Sequence, residues 1–248
     1  MINSPELSVI PRTKIDVLPS LALEELDLKK ANETLRPLSA SERIKWAVDT
    51  FPIGLYALTS AGIDSALTLD HIAKAADDNQ PIPVIHINTG FLPRGTLPYL
   101  ESLQKRYGFQ LHQFGPTDKQ IEHISDRELW NIDEAQYRRI TKLNPLKRAI
   151  GELSVTALIS GIRRDQTSNR ADLGYIGRGN DGEIRVHPFI NWSNAAVNRY
   201  IVAHELPHHP LYKRGFDTID DWTLMGLGEE KKECGIHLET IDIVERAS

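Results

Sequence analysis

The sequence predicts an α/β fold: an open, mostly parallel sheet with helices on both faces, followed by a flexible C-terminal tail. Three observations predict it. Short apolar runs recur at residues 53–59, 83–88, 109–114 and 155–160. Helical stretches separate these runs, and strands alternating with helices imply parallel pairing with helices on the sheet faces. Finally, at 248 residues with 40% hydrophobic and 25% charged side chains, the chain can bury the core of one large α/β domain or two small ones.

The elements follow in order. Residues 1–20 carry Pro5, Pro11 and Pro19 and read as an extended arm. A helix is predicted over 21–34, ending before Pro37. Ser39 stands three residues ahead of Glu42, a capping-box spacing, and Ile44, Ala47 and Val48 give the next helix an apolar face. After Pro52 comes the first strand, 53–59, and then a helix over 65–76 with Ala66, Leu69, Ile72, Ala73 and Ala76 on one side. The strand at 83–88, a helix at 98–107 and a strand at 109–114 complete a second βαβ unit. Residues 118–152 read as helical with a restart at Asn144-Pro145, because Asn caps well and Pro suits the first helical position. A strand at 155–160 follows, then a Gly-rich turn over 174–182, a short strand at 183–187, and a helix from Ser193 to about His204. From Pro207 on, prolines, glycines and charges dominate. The expected division is therefore an arm and helix at 1–38, an α/β domain at 39–206 and a tail at 207–248.

Composition narrows the function classes. Lys and Arg number 29 against 34 Asp and Glu, a net charge of −5 that argues against a nucleic-acid partner. No apolar run approaches the roughly 20 residues of a membrane span, so no membrane partner is expected. The N-terminus lacks the layout of a secretory signal, and a single cysteine suits a reducing compartment, so a cytoplasmic location is expected.

That cysteine, Cys234, lies in Glu233-Cys234-Gly235-Ile236-His237. A lone thiol forms no internal disulfide and supplies no four-cysteine metal or cluster site. It is either a buried structural thiol or a reactive one. Lys231, Lys232 and His237 nearby favour the thiolate, Glu233 opposes it, and a polar tail is a poor place to bury a small hydrophobe.

Ligands of open parallel sheets sit at the carboxyl ends of strands, and four stretches fall there. In 59–65, small residues allow close approach, while Ser60, Gly62 and Ser65 with the helix N-terminus form an anion cradle, and Asp64 in the same loop is a further substrate-binding candidate. Thr89 and Gly90 follow the second strand and suit contact with a nucleoside. Lys142, two residues before the expected cap at Asn144, shares an anion with that helix end. Arg163, Arg164 and Arg170 crowd one loop after the strand at 155–160, and guanidinium groups bind phosphate or sulfate through paired donors.

Taken together, these blocks resemble the phosphoadenylyl sulfate (PAPS) reductases, the assimilatory sulfonucleotide reductase family with a PP-loop, adenine nucleotide alpha hydrolase-like fold. The similarity runs from about residue 39 to 237. It includes the Ser60 loop, which is similar to the Ser-Gly-x-x-x-Ser loop with Ala61 inserted, and Asn88-Thr89-Gly90-Phe91. It continues through Lys142-Leu143-Asn144-Pro145, Gly161-Ile162-Arg163-Arg164-Asp165-Gln166, His187-Pro188-Phe189 and His209-Pro210-Leu211-Tyr212, and closes on the Cys234 motif.

The resemblance implies that the Cys234 thiolate attacks the sulfur of PAPS, forming an S-sulfocysteine that thioredoxin or glutaredoxin resolves to sulfite. It implies no bound cofactor, no iron–sulfur cluster and no metal, since the two Cys pairs of cluster-bearing relatives are absent. It also implies a homodimer, and His237 as an orienting or charge-stabilising residue. Alternatives are a cluster-free adenylyl sulfate reductase, a PP-loop ATP pyrophosphatase or adenylyl transferase suggested by Asp64-Ser65, and a non-catalytic sulfonucleotide-binding paralogue. The last is motivated by residues 218–225. There Asp220 replaces an expected glycine, and Leu224 and Met225 replace expected hydroxyls, a departure that bears on nucleotide affinity and tail closure.

Overall fold

The computed structural model of the chain describes residues 26–75, 81–216 and 219–225. Helix α1 (Leu28–Leu35) falls within the stretch predicted as helical, of which residues 21–25 lie outside the described residues, and Asp27 caps it by accepting the Lys30 N–H at 3.0 Å. Helix α2 (Ala40–Thr50) carries the expected reciprocal capping box between Ser39 and Glu42. Strand β1 (Leu55–Thr59) then leads into α3 (Ser65–Ala75), β2 (Val84–Ile87), α4 (Thr96–Tyr107) and β3 (Leu111–Phe114).

The stretch predicted as one helical region breaks into α5 (Asp118–Arg127), α6 (Leu129–Ile132) and α7 (Glu134–Arg138). A π-helical turn (Arg139–Leu143) and α8 (Asn144–Glu152) follow. Glu128, at a φ of 48°, makes the first break. Strand β4 (Ala157–Ser160), β5 (Ile176–Arg178), β6 (Ile184–Val186) and α9 (Asn194–Ala203) complete the described elements, with 3-10 turns at Ser168–Arg170 and Tyr212–Arg214.

The sheet order is β3-β2-β1-β4-β6-β5. All pairs are parallel except β5 with β6, which is antiparallel. Strand β5 lies inside the segment expected to be only a turn. It is a three-residue edge strand, the position where an irregular, Gly-containing sequence is best tolerated.

Alternation along the central strands sorts the core into two layers. Leu55 and Ala57 of β1, Val84 of β2, and Ala157 and Ile159 of β4 face the layer built by α1, α2, α3, α4 and α9. Leu58, Ile85, Ile87 and Leu158 face the opposite side, where Leu146, Ala149 and Ile150 of α8 cover them. Burying each such Leu or Ile contributes about 1.5–3 kcal/mol. A third, smaller cluster of Phe91, Ile124, Leu129 and Tyr137 lies under α5 to α7.

Both flanking segments join this body. Asn32 of α1 donates to the Ile176 carbonyl at 2.9 Å and accepts from the Tyr175 N–H at 2.7 Å, tying the N-terminal helix to edge strand β5. Buried Arg43 donates to the carbonyls of Leu35 and Pro188 at 2.9 and 2.7 Å, locking α1, α2 and the chain after β6 together. After α9, His209 is fully buried with its Nε2 3.1 Å from Thr96 Oγ1, and Tyr99 donates to the Pro207 carbonyl at 3.0 Å. Residues 207–216 and 219–225 therefore pack on the sheet domain, although their composition reads as the start of the tail.

Candidate functional site

The chain leaves β1 toward β2 on one side and returns through β4 on the other. The carboxyl ends of β1 and β4 thus flank the switch point where open α/β sheets bind ligands. The loop from β1 to α3 is built to stay open there. Ala61 sits at a φ of 53°, a conformation rare outside glycine. Its N–H donates to Thr59 Oγ1 at 3.2 Å, and the Gly62 N–H donates to Ser60 Oγ at 3.3 Å. Ser65 is the buried first residue of α3, and its N–H donates to the Gly62 carbonyl at 3.2 Å. The loop is thereby pre-shaped by its own hydroxyls, with Ser60 exposed at its rim.

The loop after β4 approaches it from the other side. Arg163 is 1% exposed, and each of its guanidinium nitrogens has a partner. Nη1 lies 2.5 Å from Asp64 Oδ2, Nε 3.1 Å from Asp165 Oδ1, and Nη2 2.5 Å from Asn194 Oδ1. It is an interior strut that joins the two loops and the start of α9, with Asp165 also accepting the Asn194 N–H at 2.6 Å. Arg164 donates through Nε to the Leu173 carbonyl at 2.9 Å and lies over the Tyr175 ring. Buried Arg170 donates to Gln166 Oε1, which also accepts the Arg163 N–H at 3.0 Å. Beside them, burial holds the His187 pKa down to about 3, with Arg185, Arg170 and Arg164 adding repulsion. The imidazole is neutral near pH 7, and the local positive charge comes from the arginines.

A third group lies beyond β2. Thr89 is buried and donates its hydroxyl to Asp221, which also accepts from the Tyr137 hydroxyl at 2.8 Å. Burial, then the Asp221 charge, pushes the Tyr137 phenol far above its ordinary value, so it stays a donor. Lys142 is 4% exposed, pairs with Asp220, and lies 3.4 Å from Asp221 Oδ2. Gly90, at a φ of 81°, turns the chain tightly, and a Cβ there would lie 2.9 Å from Ile121 Cδ1. The expected helix N-terminus at Asn144 is absent. The Asn144 N–H bonds back to the Arg139 carbonyl, so the π turn runs directly into α8. Lys142 faces the carboxylates of Asp220 and Asp221.

Against known proteins, residues 54–226 match the family model described as the phosphoadenosine phosphosulfate reductase domain. The chain belongs to the phosphoadenosine phosphosulfate reductase family. A phosphoadenosine 5'-phosphosulfate reductase of Synechocystis sp. is 34% identical over 88% of this chain and 94% of the relative. One from Synechococcus sp. is 33% identical over 85% and 97%. The crystal structure of PAPS reductase from Candida auris, a phosphate complex, superposes with a TM-score of 0.71 at 29% identity, covering 82% of this chain and 98% of that one. A Candida glabrata FMN adenylyltransferase reaches a TM-score of 0.55 at 15% identity, a likeness of fold alone.

As a member of the phosphoadenosine phosphosulfate reductase family, the chain gathers Ser60, Gly62, Asp64, Ser65, Arg163, Arg164 and Arg170 around the β1/β4 switch point. Thr89, Gly90 and Lys142 form a neighbouring cluster. Cys234 and His237 lie outside the described residues. Among the described residues there is no group of three or more His, Cys, Asp or Glu side chains placed to hold a metal ion, and no helix long and apolar enough to cross a membrane.

Sequence reasoning missed the Tyr137–Asp221 link, whose partners are 84 positions apart and carry no local signal. It also passed over the buried Ser160 hydroxyl at the end of β4, which has no hydrogen-bond partner among the described residues. The last position of a strand at the switch point is the one signal that marks it. A concavity of about 830 Å³ lies off the main site, lined by Arg94, Arg214, Phe216 and Trp222 among others, and shares no residue with the loops after β1 and β4.

Proposed function

We propose that this protein reduces PAPS to sulfite and adenosine 3',5'-bisphosphate in assimilatory sulfate reduction. The observation that carries this reading is membership of the phosphoadenosine phosphosulfate reductase family over residues 54–226. An arginine-rich loop opposite a small-residue cradle supports it.

In this reading the Cys234 thiolate attacks the sulfonate sulfur. The sulfur–oxygen bond breaks, its electron pair leaves with adenosine 3',5'-bisphosphate, and an S-sulfocysteine remains. A thiolate of thioredoxin or glutaredoxin then attacks the Cys234 sulfur and expels sulfite with the electron pair of the sulfur–sulfur bond. The second thiol of the donor resolves the mixed disulfide, so two thiols are oxidised as sulfur is reduced by two electrons. Arg164, Arg170 and Lys142 offset the charge of the sulfonate and phosphates, because a thiolate approaches anionic sulfur only where that charge is neutralised. Arg163 holds the cradle and the arginine loop in register. Ser60 and the 60–65 loop seat the nucleotide, Thr89 and Gly90 bound its nucleoside side, and His237 orients the tail. The enzyme works as a cytoplasmic homodimer without a bound cofactor.

The test is sulfite release from PAPS and from adenylyl sulfate with thioredoxin or glutaredoxin as donor. PAPS is expected to be the preferred substrate, and Cys234→Ser is expected to abolish release while leaving nucleotide binding within about twofold. Turnover of adenylyl sulfate alone would assign the other sulfonucleotide. Pyrophosphate release from ATP that ignores Cys234→Ser would replace the reading with nucleotidyl chemistry.

A further inference from the structure

The two adjacent aspartates of the 219–225 segment are held unequally. Asp221 is 1% exposed, accepts hydroxyl hydrogen bonds from Thr89 and Tyr137, and is followed by Trp222, whose N–H donates to the Phe91 carbonyl at 2.9 Å. Phe91, Trp130, Tyr137 and Trp222 pack ring to ring around it. Asp221 is therefore the fixed member. Asp220 is more open, with 16% of its side chain exposed. Its Oδ1 accepts the Asp221 N–H at 2.8 Å and pairs with Lys142, and its Oδ2 lies 3.7 Å from Arg138 Nη1. Arg138 is already held by Glu134, at 2.8 Å from Nε and 2.6 Å from Nη2.

Among the described residues, two cations, Lys142 and Arg138, thus face three carboxylates, Asp220, Asp221 and Glu134. These five side chains carry one excess negative charge between them, and an anion brought to Lys142 meets the Asp220 carboxylate already on the ammonium and is repelled by it.

We propose that Asp220 is a resident competitor for Lys142: an incoming anionic group, sulfonate or phosphate, reaches the ammonium only by displacing the Asp220 carboxylate. Asp221 keeps the segment docked while it does so. Asp220 thereby sets the affinity of the site for an anionic group. The inference rests on the reading of Lys142 as an anion-binding residue.

Calorimetric titration of inorganic sulfate into the full-length protein tests it. The variant Asp220→Asn keeps an acceptor for the Asp221 N–H and removes only the charge. Asp220→Ser serves as a second uncharged variant should the first fold poorly. Both are expected to bind sulfate about tenfold more tightly than the wild type, and the gain is expected to vanish when Lys142→Ala is added. Unchanged or weaker sulfate binding in the folded variants overturns the proposal, as does a gain that persists without Lys142. A parallel titration with adenosine 3',5'-bisphosphate separates the two readings. Tighter sulfate with no nucleotide binding in any variant leaves Asp220 as the competitor and removes the substrate assignment.

Discussion

Tyr137 donates its hydroxyl to Asp221 at 2.8 Å, and this bond joins α7 to a segment 84 positions later in the chain. Thr223 donates in turn to the Tyr137 oxygen at 3.1 Å. Removing the hydroxyl in Tyr137→Phe leaves the ring packed but takes one donor from a buried carboxylate. The expected cost is about 1.5–3 kcal/mol in urea unfolding, with faster amide exchange at 219–225 than elsewhere. Unchanged exchange there would show that the segment is docked by other contacts.

Arg163 ties Asp64, Asp165 and Asn194 together from a nearly inaccessible position. Arg163→Ala strands two carboxylates that are about a third exposed, so water screens part of the loss. The expected destabilisation is about 2–4 kcal/mol, with loss of nucleotide binding following from the displaced loops. Arg163→Lys, lacking the planar fork, is expected to recover less than half of it. A variant of normal stability that fails only in binding would make Arg163 a ligand-contacting residue instead.

Gly161 opens the loop after β4, and a Cβ there would lie 2.5 Å from Thr68 Oγ1 on α3. Gly161→Ala is expected to cost about 1–3 kcal/mol by overpacking. The double variant with Thr68→Ala is expected to recover most of that loss, a coupling readable as a double-mutant cycle.

Burial holds the His187 pKa down to about 3. The unfolded chain takes up a proton at this residue near pH 6.5 and the native state does not, so stability is lost as pH falls below about 6.5. The loss continues at about 1.4 kcal/mol per pH unit until the folded pKa is approached, and no penalty exists above pH 6.5. Replacing the ring with the non-titrating amide of His187→Asn is expected to flatten the difference in unfolding free energy between pH 6.5 and 5 by about 2 kcal/mol. Parallel pH profiles for the two proteins would contradict this.

What the sequence made legible was what it carries in consecutive residues. Strands β1, β2 and β4 announce themselves as apolar runs because both their faces are buried, and the loops at 60–65 and 161–170 follow directly from those strands. Strand β5 was hidden because Ile176-Gly177-Arg178 has neither alternation nor length, and only pairing with β6 and the Asn32 amide makes it a strand. The helix start expected at Asn144 is absent for a different reason. Asn144-Pro145 carries the local signature of a helix start, but the π turn before it continues the helix and supplies the bonds a cap would otherwise make. Contacts such as Tyr137–Asp221 and Lys142–Asp220 depend on how two distant segments pack, and no spacing rule reports them.

The role of Cys234 as nucleophile is tested most directly by intact-protein mass spectrometry of the reduced enzyme after incubation with PAPS, with no thioredoxin or glutaredoxin present. The expected result is the gain of one sulfite group, located at Cys234 by peptide mapping and lost on adding the donor. Protein that binds the nucleotide yet carries no adduct at Cys234 would contradict it.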